Sequence, residues 1–127
     1  MVIWVQKIID CELVITSEIN NKCETIVISG RGYYKKEKEI IIYFTSDNIR
    51  YKYIVIKDKV EIYCNDSHYN FWVNKEDIGE IKNGDYIFKI TTLANKIEIT
   101  DNFVLINYEL KQNNILIGKY LTKLSFN

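Results

Sequence analysis

Residues 85–126 read DYIFKITTLANKIEITDNFVLINYELKQNNILIGKYLTKLSF, and the alternation in this stretch decides the fold. A period of two runs through Tyr86-Ile87-Phe88-Lys89-Ile90 and through Lys96-Ile97-Glu98-Ile99. It continues in Val104, Ile106, Tyr108 and Leu110, set against Asn107 and Glu109. Successive side chains of a strand point to opposite faces, so each run has one apolar face and one mixed face. The stretch therefore predicts three or four consecutive antiparallel strands that curl until their apolar faces meet. Nothing in it resembles a catalytic motif.

The same pattern extends back through the chain. In Val2–Ile15 the odd positions Ile3, Val5, Ile9, Cys11, Leu13 and Ile15 form an inward face, and the β-branched content favours strand over helix. Gly30-Arg31-Gly32 predicts a bulge or a sharp bend, since a phosphate-cradling loop needs a third glycine opening a helix. Ile40–Thr45, Ile49–Ile56, Val60–Cys64 and His68–Asn74 read as further strands between polar turns, and Lys75–Ile81 is the least regular segment. Asn83-Gly84-Asp85 is the strongest hairpin signal, because Asn and Gly both tolerate positive φ. The count reaches nine or ten strands with no room for a crossover helix, which predicts a closed up-and-down barrel or a tightly curled sandwich. Gly118 marks a bend within the last strand.

Composition narrows the function classes. A chain of 127 residues is one domain, 1–127, with enough length for a single core. Seventeen basic and seventeen acidic residues balance, so the positive excess that meets a phosphate backbone is missing and nucleic acid is not an expected partner. Met1–Lys7 has no basic region followed by an apolar run and a small-residue cleavage site, and no later run has the length of a membrane span, so a cytoplasmic protein is expected. Three cysteines, Cys11, Cys23 and Cys64, are expected to be reduced and to act as small buried hydrophobes. Thirteen per cent aromatic residues, ten of the side chains being tyrosine, with no proline, strengthen the strand reading.

The order of several features resembles the YwiB-like calycin β-barrel family of bacterial proteins. The features are Gly32-Tyr33-Tyr34, an apolar strand ending at Tyr43, the strand Val60–Tyr63, Gly84, Thr91-Thr92 and Ile106-Asn107-Tyr108-Glu109-Leu110. Two turns depart from the family's pattern, Lys82-Asn83-Gly84 and Cys64-Asn65-Asp66. The resemblance implies a barrel akin to lipocalins and fatty-acid-binding proteins, and it supplies no catalytic residues.

The candidate sites follow from the faces. Tyr51, Tyr53, Tyr86, Phe88, Tyr108 and Tyr120 fall on faces read as inward, where a phenol needs a partner for its hydroxyl. They either pack as core or line a cavity for a small apolar or amphipathic ligand. Trp4, Trp72 and Phe103 fall outward and are the expected contacts of an interaction surface or of a homodimer. His68, the one histidine, is expected to be exposed beside Asn70. With Cys11, Cys23 and Cys64 it matches no zinc-finger or ribbon spacing, so no metal and no cofactor is expected. Glu76, Asp77 and Glu80 read as a solvated acidic loop. No nucleophile, base and orienting group can be named together, so the chain is not expected to be an enzyme.

Overall fold

A computed structural model describes residues 5–127, with side chains from Gln6 onward, as an all-β protein with no helix among those residues. Ten strands follow one another: β1 (Val5–Ile19), β2 (Lys22–Lys36), β3 (Ile40–Ser46), β4 (Ile49–Ile56), β5 (Lys59–Cys64), β6 (Ser67–Trp72), β7 (Glu76–Asn83), β8 (Tyr86–Ile99), β9 (Phe103–Gln112) and β10 (Ile115–Phe126). Each pairs antiparallel with its neighbour in sequence, and β1 also pairs with β10, so the meander closes into a barrel as the alternation predicts. Closure removes most of the unpaired edges that ten apolar strands would otherwise expose.

The turns explain the asparagine-rich punctuation. Asn20-Asn21, Asp47-Asn48 and Asn113-Asn114 are two-residue hairpin loops in which both residues have positive φ, 53° and 64°, 48° and 66°, and 53° and 63°. This is the type I′ geometry, whose twist matches that of the flanking strands and which Asn and Asp adopt most readily after Gly. The β7–β8 turn lies one residue later than its sequence suggests. Asn83 is already paired with Tyr86, so the loop is Gly84-Asp85, and only Gly84 has positive φ (63°).

One expectation about a bend is corrected, and the one at Gly118 is met by a bulge. β2 runs in unbroken register with β1 through Gly30 and Gly32, so there is no bulge there. The glycines instead admit the neighbouring backbone of β3. A Cβ would run into the carbonyl oxygen of Thr45 at Gly30, and into that of Tyr43 at Gly32. The bulges lie elsewhere, between Ala94 and Lys96 in β8 and between Leu116 and Gly118 in β10. The first merges two segments expected as separate strands and shifts the phase of β8. Even-numbered Ile90, Thr92 and Ala94 are buried before it, and odd-numbered Ile97 and Ile99 pack against the core after it.

The meander puts every odd-to-even turn at one end, hereafter the hairpin end, and both chain ends at the other. Strand lengths differ greatly between neighbours. β2 pairs with β3 only along Arg31–Lys36, so Lys22–Gly30 is bonded to β1 alone and stands above the shorter β3–β6. The core fills the barrel with Ile9, Leu13, Ile42, Phe44, Val60, Phe71, Val104, Ile106 and Leu124, all buried.

Candidate functional site

The interior is not filled uniformly. Toward the hairpin end a cavity of about 160 Å³ is lined by Leu13, Ile15, Tyr51, Tyr53, Ile62, Cys64, Tyr69, Phe71, Tyr108 and Thr122. Its floor is buried, with Leu13, Tyr53, Ile62, Phe71 and Thr122 each under a tenth exposed. Ile15, Cys64, Tyr69 and Tyr108 are half-buried, which places the solvent-facing side at the hairpin end.

Each phenol arrives by the alternation of its own strand. Tyr51 and Tyr53 are two apart on β4, Tyr69 and Phe71 two apart on β6, and Tyr108 shares the inward face of β9 with Ile106 and Leu110. The rings brace one another: Tyr108 lies 4.5 Å from Phe71 and stacks 5.2 Å from Tyr120, while Tyr51 stacks 4.7 Å from Phe44. Among the described residues the hydroxyls of Tyr51, Tyr53, Tyr69 and Tyr108 have no hydrogen-bond partner in the protein. The lining's other hydroxyl, on Thr122, donates to the carbonyl of Ile106 (3.4 Å).

The electrostatics follow from burial. Loss of solvent raises the Tyr53 and Tyr108 phenols well above the ordinary tyrosine range, and neighbouring groups add to it, Tyr108, Cys64 and Tyr51 for the former and Tyr69 and Tyr120 for the latter. Burial also raises Tyr51, Tyr69, Tyr120 and the thiol of Cys64. Cys11 is pushed up to about 12, chiefly by burial and then by the carboxylate of Asp10. These groups are protonated at neutral pH, and the phenols present O–H donors to the cavity.

Of the six aromatics expected inside, Tyr51, Tyr53 and Tyr108 line this cavity and Tyr120 stacks behind Tyr108. Tyr86 and Phe88 do not belong to it, being 71% and 42% exposed. They share the phase of buried Ile90, but the β7–β8 hairpin carries them past the end of the barrel, where no opposite wall covers them. Tyr69, Phe71 and Cys64 also line it. Tyr69 and Phe71 were legible as one face of a strand, whereas Cys64 sits at a turn whose facing the sequence leaves open.

The outward candidates are partly covered. Trp4 lies outside the described residues. Trp72 is half-buried, donates its indole N–H to Asp77 (2.8 Å), and has Lys75 and Lys59 over its ring at 4.7 and 5.4 Å. Phe103 is half-buried beneath Lys123 at 4.6 Å. It borders an open depression of about 830 Å³ with Asp10, Glu12, Ser29 and Asn127, larger than the cavity but shallow and of mixed charge.

The barrel has a solved counterpart. The crystal structure of ywiB protein from Bacillus subtilis matches with a TM-score of 0.72 at 12% sequence identity, over 96% of this chain and 93% of that chain. At that identity the likeness is one of fold, so the chain has a YwiB-like barrel. No protein-family model matches the sequence, and neither does any curated protein.

The remaining sequence candidates resolve as follows. His68 is half-buried rather than exposed, stacked at 4.2 Å on Tyr63, and its Nε2 is enclosed without a partner, as is Oδ1 of Asn70. Both lie where β6 and β7 share only the pair His68↔Glu80, and Thr92 bridges that seam by donating to the carbonyl of Asn70. Cys23 is exposed, against expectation, because the β1–β2 hairpin projects beyond the barrel. Among the described residues no three His, Cys, Asp or Glu side chains converge as metal ligands. Glu76 and Glu80 are exposed, while Asp77 is tied to Trp72 and to the N–H of Ile78.

Proposed function

We propose that the protein is a non-enzymatic binder that takes one small amphipathic molecule into the phenol-lined end of its barrel. The observation that carries this reading is the set of four tyrosine hydroxyls around one cavity with no hydrogen-bond partner among the described residues. These hydroxyls open onto the cavity rather than being enclosed by protein, and phenylalanine would fill the same space without offering donors there. Four such phenols are accounted for by a polar occupant. The cavity sets the size. An apolar cavity of about 150 Å³ accepts benzene, so one of about 160 Å³ takes a single ring or its equivalent and not a long acyl chain.

The lining supports binding over catalysis. It carries no histidine, carboxylate or amine, and burial keeps the Cys64 thiol protonated and therefore a poor nucleophile.

Native mass spectrometry of protein purified gently from a bacterial host, compared with its denatured mass, is the test. The expected result is one reproducible small adduct that disappears on denaturation. A bare mass, together with unchanged Tyr53 and Tyr108 ring resonances on addition of single-ring compounds to millimolar concentration, overturns the reading.

A further inference from the structure

The chemistry of the lining says more about the occupant than its size. Each of the four phenols has a proton to place, and Thr122, the remaining hydroxyl, has already placed its own on Ile106. A ligand that only donates hydrogen bonds would leave those protons unplaced. A hydrocarbon would do the same and would also strip the phenols of water.

Charge is excluded by the same walls. Among the described residues no lysine, arginine, histidine, aspartate or glutamate lines the cavity. A carboxylate entering it would meet no cation, and an ammonium no carboxylate, so either would be buried as an unpaired ion at a cost of several kcal/mol. Lys7, in the inward phase of β1, lies over Tyr34, which pairs with it near the chain-end side of the barrel, too distant in register to serve the phenols near Leu13 and Ile15.

Resting on the binding reading above, we propose that the cavity selects a neutral ligand with a hydrogen-bond acceptor, a carbonyl or comparable oxygen on a body of about one ring. The apolar body lies on Leu13, Ile62 and Phe71, and the oxygen takes the phenol protons. Packing of Tyr108 between the tilted ring of Phe71 and the stacked ring of Tyr120 holds one donor in place before the ligand arrives.

The test uses the full chain and four probes of similar size: cyclohexanone, its isostere methylenecyclohexane, cyclohexanecarboxylate and tetramethylammonium. Binding is followed by the ring resonances of Tyr53 and Tyr108 at pH 7. The ketone is expected to bind at least about tenfold more tightly than the alkene, the difference one well-made hydrogen bond provides, with neither ion binding. In the Tyr53→Phe and Tyr108→Phe double variant, checked for an unchanged circular dichroism spectrum and followed by the ring resonances of Tyr51 and Tyr69, which also line the cavity, the ratio falls toward one while the alkene still binds. Equal or tighter binding of the alkene, or tightest binding of either ion, overturns the neutral-acceptor assignment and leaves the binding reading standing. If none of the four perturbs the rings, the binding reading itself fails.

Discussion

The two halves of the barrel interior follow different rules. Toward the chain ends, Ile9, Ile42, Val60 and Val104 are each 1% exposed or less and leave no polar atom to satisfy. Toward the hairpin turns the same alternation delivers Tyr51, Tyr53, Tyr69 and Tyr108, whose rings pack as well as any hydrocarbon and whose hydroxyls do not. One end holds the fold together by excluding water from aliphatic surface. The other gives up some of that stabilisation for a polar lining. The difference shows that one sheet with one periodicity can combine an aliphatic core with a phenol-lined cavity by changing residue type along the barrel axis.

The largest effect should come from a truncation in the aliphatic half. Ile42→Ala, at a position with no exposure, is expected to lose about 2–5 kcal/mol in urea unfolding, because the cavity left behind cannot relax in a closed sheet. A loss below about 1 kcal/mol would show that the two halves are not packed differently.

Alkali should act most strongly on the phenol half, with the buried Cys11 and Tyr34 toward the chain ends adding smaller contributions. Folding raises the pKa of Tyr53 and Tyr108 above that of the unfolded chain, so above about pH 10 the unfolded state releases protons that the native state keeps. Their contribution is fully present below pH 10 and is lost as pH rises, at about 1.4 kcal/mol per pH unit for each phenol. Melting temperature measured from pH 9 to pH 12 should fall accordingly, and Tyr53→Phe should remove part of the slope. A slope unchanged by that substitution would mean that Tyr53 is not the group responsible.

The smallest effect is the most diagnostic. Tyr108→Phe should change unfolding free energy by less than about 1 kcal/mol, and toward stability, because it deletes a hydroxyl without deleting a protein hydrogen bond. A loss of about 2 kcal/mol or more would reveal a partner for that hydroxyl and undo the contrast.

Much of this was legible in the sequence. Alternation identified the barrel, the inward faces of β1, β4 and β9, and three of the four cavity phenols. What it could not give was height along the axis. Tyr86 and Phe88 have the same phase as Ile90, yet the register of β8 against β9 begins only at Thr91, and no pattern within a strand reports where its neighbour stops. Gly30 and Gly32 were ambiguous for a related reason, since a close approach by another strand leaves the same signature as a bulge. His68 was misplaced because its enclosure depends on a seam between β6 and β7 that is set by tertiary pairing.

The β1–β10 seam has a consequence for how the molecule assembles. Every other ladder joins strands adjacent in sequence, and three of the turns between them are type I′ hairpins that form from local residues. Only Cys11–Glu18 against Phe126–Lys119 joins residues about a hundred positions apart. The entropy of ring closure therefore falls on one pairing, and because that entropy grows only with the logarithm of the intervening length, nine local hairpins of any total length would meet a similar barrier at the last step. The sheet is thus local in all its ladders but one, and the barrel closes through that single long-range pairing.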